Sequence, residues 1–176
     1  HEILLVSSPY DAYILEEDGR LTEQILHGYI GMNFSYAPRL WHAQTAEQAL
    51  NMIDKRKFGL IIIMLRIADM NSVSLAKKIK KIHPKTSLSL LAFDESELTV
   101  FRKNEIQHYF DRVFIWSGNS NVFLAIIKQL EDRKNSPRDI NKGEVRAIIF
   151  IEDSPRFYSV ILPLIYQEIM YHTQQL

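Results

Sequence analysis

A chain of 176 residues that is 47% hydrophobic has enough length for one domain with a sizeable core, and some chain left over. Its 21 basic and 21 acidic residues cancel, which excludes the clustered excess of Lys and Arg that a general nucleic-acid surface needs. No apolar run nears the ~18 residues of a membrane span, no signal segment opens the chain, and the absence of cysteine excludes disulfides and thiolate metal sites.

These features fit a cytoplasmic protein. The chain opens at His1 without an initiator Met, as expected of a fragment or of a chain whose His1 is left from a tag. Ile3-Leu4-Leu5-Val6 has the pattern of a strand buried on both faces, and Ser7-Ser8-Pro9 stops it. A longer segment, Tyr10 to Gly19, ends in the acidic run Glu16-Glu17-Asp18. Leu21, Ile25, Leu26 and Tyr29 recur at helical spacing, and Gly31 ends that helix. Arg39 to Ala43 reads as a second strand. Thr45 is placed to cap the next helix, whose inner face carries Ala46, Ala49, Leu50 and Ile53.

Leu60 to Leu65 is an apolar third strand. Ser74 to Ile82 reads as a helix with Lys77, Lys78, Lys80 and Lys81 on its outer, solvated face. Leu88 to Phe93 reads as the fourth strand, Glu97 to Tyr109 as one helix, Val113 to Trp116 as the fifth strand and Val122 to Arg133 as the fifth helix. Five strand-helix repeats in about 130 residues predict an α/β fold: a flavodoxin-like, five-stranded parallel sheet of order 2-1-3-4-5 with helices on both faces. The first spacing is long, which predicts an insertion around Tyr10 to Leu21.

Residues 2–134 then form the main domain, and 135–145 a polar linker containing Pro137 and Gly143. Residues 146–176 read as a strand, Arg146 to Ile151, an acidic turn at Glu152-Asp153, and a helix from Phe157 to Tyr171: the start of a second, truncated module. Apolar side chains on both faces of that strand and a broad apolar face on the helix predict that residues 145–176 dock on the main domain or pair with a second copy of the chain, the homodimer being the leading expectation.

The stretch Leu60-Ile61-Ile62-Ile63-Met64-Leu65-Arg66-Ile67-Ala68-Asp69-Met70-Asn71 resembles the third strand and following loop of a response-regulator receiver domain. The segment Ala43 to Leu50 is similar to that family's second strand running into its second helix. The resemblance covers roughly Glu2 to Arg133. It implies a two-component signalling module whose third strand ends in a phosphoaccepting aspartate. Two acids after the first strand would hold magnesium, a Thr or Ser after the fourth strand would bind phosphoryl oxygens, and a Lys after the fifth would offset their charge. The corresponding positions here are Met64, Ser7 and Ser8, Ala92, and Trp116. All lack the required group, so the resemblance is to a degenerate receiver, a pseudo-receiver.

Two further segments, Ile14 to Leu21 and Arg156 to Tyr166, resemble the N-terminal region of bacterial proteins that also carry a domain similar to phosphoenolpyruvate synthase and pyruvate phosphate dikinase. The reading is thus a non-catalytic regulatory domain, with no cofactor, no metal and no catalytic residue of its own. Its expected partner is another protein or a neighbouring domain, without nucleic acid or membrane. Two alternatives remain. One is an accessory domain of a phosphoenolpyruvate-dependent phosphotransferase. The other is a phosphorelay whose active receiver is the downstream module, where Glu152 and Asp153 would be a magnesium-binding pair. Asp69 as a displaced phosphoacceptor, and Glu16 to Asp18 as replacement carboxylates, are weaker readings than a loop acid and a solvated turn. Asp94 and Glu95 suit a helix N-terminus. No phosphate loop, nucleophile elbow or metal motif is present.

Overall fold

The fold comes from a computed structural model, which describes residues 2–19, 21, 23, 25, 27, 38–143 and 147–173. One sheet holds five strands: β1 (Glu2–Val6), β2 (Arg39–Ala43), β3 (Leu60–Met64), β4 (Ser87–Ala92) and β5 (Arg112–Ile115). All pair in parallel, in the order β2-β1-β3-β4-β5. The expected architecture is therefore the observed one.

Alternation along each strand divides the core into two layers. Ile3, Leu5, Leu60, Ile62 and Met64 face one layer, and Leu4, Val6, Ile61 and Ile63 face the other. A central strand with helices on both sides has no solvent face, which is why all five residues of β3 are apolar and buried.

Helix α1 (Pro9–Gly19) follows β1 directly. Ser8 accepts the Asp11 backbone N–H at 3.0 Å, and Pro9 occupies the first helical position, where its missing N–H costs nothing. The segment expected as an insertion is thus largely helix, and Glu16 to Asp18 lie in α1 rather than in a turn. Leu21 and Ile25 are helical and buried. Leu26, Tyr29 and Gly31 lie outside the described residues, as does His1.

Helix α2 (Ala46–Lys55) begins as predicted, with the Thr45 side chain accepting the Gln48 N–H. Helix α3 (Ser72–Ile82) is capped by Asn71 in the same way. Lys77, Lys78 and Lys81 are exposed on α3, while Lys80 donates to the Thr86 carbonyl and lies 3.5 Å from Asp111.

The single helix expected over Glu97 to Tyr109 is two pieces. A 3-10 helix (Glu95–Val100) is followed by α4 (Lys103–Tyr109). Asp94 caps the first piece by accepting from the Ser96 N–H, and Thr99 donates to the Ser96 carbonyl. These side-chain bonds compete with the α-helical ladder and favour the tighter turn.

Helix α5 (Asn121–Gly143) runs ten residues past the predicted end at Arg133, through the stretch expected as a linker, with Pro137 inside it. Its early turns are buried almost all round, from Val122 to Ile127, because the sheet covers one side and the C-terminal helix the other. Its later turns are polar and mostly exposed. Extending a formed helix fixes one residue per added bond, whereas nucleating one fixes several, so a polar extension persists in solvent.

Residues 147–154 are not a strand. Phe150 stacks on Tyr158 at 5.4 Å between ring centroids, while Ile148, Ile149 and Ile151 remain exposed. The outer edge of β5, which an added strand would need, is partly taken: the Ile115 N–H donates to Ser159 Oγ at 2.8 Å. Ser159 belongs to α6 (Pro155–Thr173), which packs on β5 and α5 and buries Tyr158 and Leu162 in the first core layer. Among the described residues no helix is long and apolar enough to cross a membrane.

Candidate crevice at the carboxyl ends of the strands

The hydrogen-bond ladder brings the predicted site positions together. Ser7 follows β1, and its N–H donates to the Ala43 carbonyl at 3.1 Å. Leu65, the residue after Met64, donates to Leu91, and Trp116 donates to the Ala92 carbonyl at 2.7 Å. Ser7, Met64, Ala92 and Trp116 thus sit at the ends of adjacent parallel strands, where an open sheet of this type presents its ligand crevice.

The floor they make is apolar and closed. Met64 is 1% exposed and Trp116 5%, with the indole packed edge-on against Phe123 at 5.8 Å. Trp116 is therefore core packing. Ser7 is fully buried, and its hydroxyl is hydrogen-bonded to His42 Nε2 at 2.8 Å. Burial pushes the His42 pKa down, opposed by the contact with Ser7 and by the charge of Glu16. Ser8 is committed to capping α1.

Charge reappears in this crevice at positions the sequence motifs did not mark. Arg66, two residues past β3, contacts Glu97 at 2.5 Å. The other oxygen of Glu97 accepts the Phe93 N–H at 3.0 Å. That carboxylate therefore ties the loop after β3 to the loop after β4. Asp11 lies within electrostatic reach of both Arg66 and Glu97 and is 1% exposed. Its Oδ2 has no hydrogen-bond partner among the described residues. Desolvation pushes the Asp11 pKa up, against the lowering effects of Ser8 and Arg66. One signal could have found Asp11: Ser8-Pro9-Tyr10-Asp11 has the spacing of a helix capping box, which places an acid one turn in. Arg66 and Glu97 are 31 positions apart and carry no local signal.

Asp69, Asp94 and Glu152 each accept backbone N–H groups. Asp69 accepts the Ala46 and Glu47 N–H groups at 2.7 and 3.0 Å, so it holds the N-terminus of α2. Those backbone bonds, that from Ala46 foremost, pull its pKa down. Asp94 is a helix cap, as expected. Glu152 accepts the Ser154 N–H at 2.9 Å within its own turn, beside exposed Asp153.

No family model matches the chain, and no curated protein sequence matches it. Its architecture recurs in solved receiver domains. The signal receiver domain of an HD domain-containing protein from Pseudomonas fluorescens Pf-5 is 22% identical, covering 77% of this chain and 97% of that one, with a TM-score of 0.58. The response regulator TrrA from Thermotoga maritima, solved in complex with Mg(2+)-BeF, is 18% identical, covering 73% and 97%, with a TM-score of 0.56. A CheY-like receiver domain protein from Methanospirillum hungatei JF-1 is 21% identical, covering 77% and 97%, with a TM-score of 0.55. The fold is the flavodoxin-like receiver fold, extended at its C-terminus by α6.

Proposed function

We propose that this domain is a receiver-like regulatory module that acts by binding a protein partner or a neighbouring domain, without accepting a phosphoryl group at the end of its third strand. Met64 carries the proposal. It is the last residue of β3, the position that the receiver resemblance assigns to a phosphoacceptor; it is buried, and a thioether forms no acyl phosphate. The companion positions support the reading. A magnesium ion calls for hard, anionic oxygen ligands. Ser7 is neutral and tied to His42, Ser8 is a helix cap, and Met64 is soft. This donor set does not suit the ion. Ala92 offers no hydroxyl and Trp116 no cation, and the Trp116 indole is packed into the core against Phe123.

The test is the intact mass of the chain after incubation with acetyl phosphate and magnesium. The expected result is an unchanged mass. A stoichiometric, hydroxylamine-labile phosphoryl adduct overturns the proposal, and mapping it to Asp11 or to Asp69 would reveal which carboxylate had taken over.

A further inference from the structure

We infer that two copies of this chain associate by pairing the segment centred on Phe150 of one with the same segment of the other, antiparallel about a two-fold axis. Ile148, Ile149 and Ile151 are 72%, 81% and 87% exposed. Three isoleucines in four positions form a sequence suited to a sheet and poorly suited to solvent. Among the described residues, 147–151 make no backbone hydrogen bond to any strand. A run of unpaired N–H and C=O groups flanked by apolar side chains is a template for strand pairing. The chain's own sheet does not provide that pairing, since the Ile115 N–H on its edge is held by Ser159.

A second copy fits this surface on three counts. Identical segments related by a two-fold axis across their strands run antiparallel, which satisfies backbone groups on both copies at once. An axis at Phe150 sets Ile149 of each copy opposite Ile151 of the other. In an extended segment both isoleucines share the face turned away from Phe150, whose ring is anchored on Tyr158. The formal net charge is +0, so two copies approach without net repulsion. Exposed Phe157, Val160 and Leu164 of the adjoining helix extend the apolar surface toward the ~800 Å² that each partner contributes to a standard interface.

Sedimentation velocity and light scattering on the 176-residue chain, from low to high micromolar concentration, test the inference. The expected result is a concentration-dependent dimer that Ile149→Lys/Ile151→Lys converts to monomer with an unchanged far-UV spectrum. The chain has no cysteine, so Ile149→Cys/Ile151→Cys gives a second test that does not rely on introduced charge. Residues two apart on an extended segment point their Cβ atoms in parallel, roughly 6–7 Å apart and beyond the ~4 Å a disulfide needs, whereas opposed positions across the axis are within range. Oxidation should link two copies, and Lys77→Cys/Lys81→Cys on exposed α3 should not. A monomer at every concentration, as expected if another domain or a foreign protein covers this surface, overturns the inference. So does a dimer that survives the lysine substitutions, or one that fails to link through positions 149 and 151. None of these outcomes depends on whether the crevice accepts a phosphoryl group.

Discussion

Replacing Ser159 by alanine tests whether the C-terminal helix belongs to this domain. Ser159 is 3% exposed, and its hydroxyl does two things. It accepts the Ile115 N–H at 2.8 Å and donates to the Pro155 carbonyl at 2.6 Å. Ile115 is the last residue of the edge strand β5, and that N–H has no other partner among the described residues. Alanine leaves the methyl packing in place but strands a buried donor. The cost is the desolvation penalty of that group, about 1–3 kcal/mol, rather than the smaller net value of an ordinary hydrogen bond. For a chain of this size, about 2 kcal/mol corresponds to a fall in Tm of roughly 4–8 °C. Urea unfolding followed by tryptophan fluorescence measures it, with an unchanged m-value showing that the effect is on stability alone. A change below about 0.5 kcal/mol would mean that water reaches Ile115, and would refute the docking of α6 on β5.

Asp11→Asn should stabilise the protein at neutral pH. The folded-state pKa of Asp11 is raised, so its ionisation opposes folding. The Asp11 contribution to stability should be fully present below the ordinary carboxylate pKa and lost as pH rises through the raised value, so the gain of the variant over the native chain should grow across that range in a urea-midpoint series. Asp69→Ala should cost about 1 kcal/mol in urea unfolding at pH 7, because two N–H groups at the start of α2 lose their acceptor. The folded-state pKa of Asp69 is lowered, so its contribution is present above the ordinary carboxylate range. The difference between native and variant should vanish as pH falls through the folded value. Met64→Asp should lower stability by about 3 kcal/mol or more, since it places a carboxyl among Leu91, Phe114 and Trp116. It should also leave the mass unchanged after acetyl phosphate treatment, because the magnesium ligands, hydroxyl and lysine act as a unit and are still missing.

The sequence alone determined the sheet. Strands buried on both faces must be apolar throughout, and their alternation with amphipathic helices admits few connections, so order, direction and the Thr45 cap were all legible. The five positions at the strand ends were legible too, because each is counted from a strand terminus. The charged cluster above them was not. Asp11, Arg66 and Glu97 come from three separate segments and meet only through the stacking of parallel strands. The C-terminal region was decided by tertiary structure in the same sense. Ala147 to Ile151 has the composition of a buried strand, yet local preference forms no ladder without an open edge to pair with. Ser159 takes the Ile115 N–H on that edge, and Tyr158 and Leu162 cover the adjacent core, so the same segment is left on the surface.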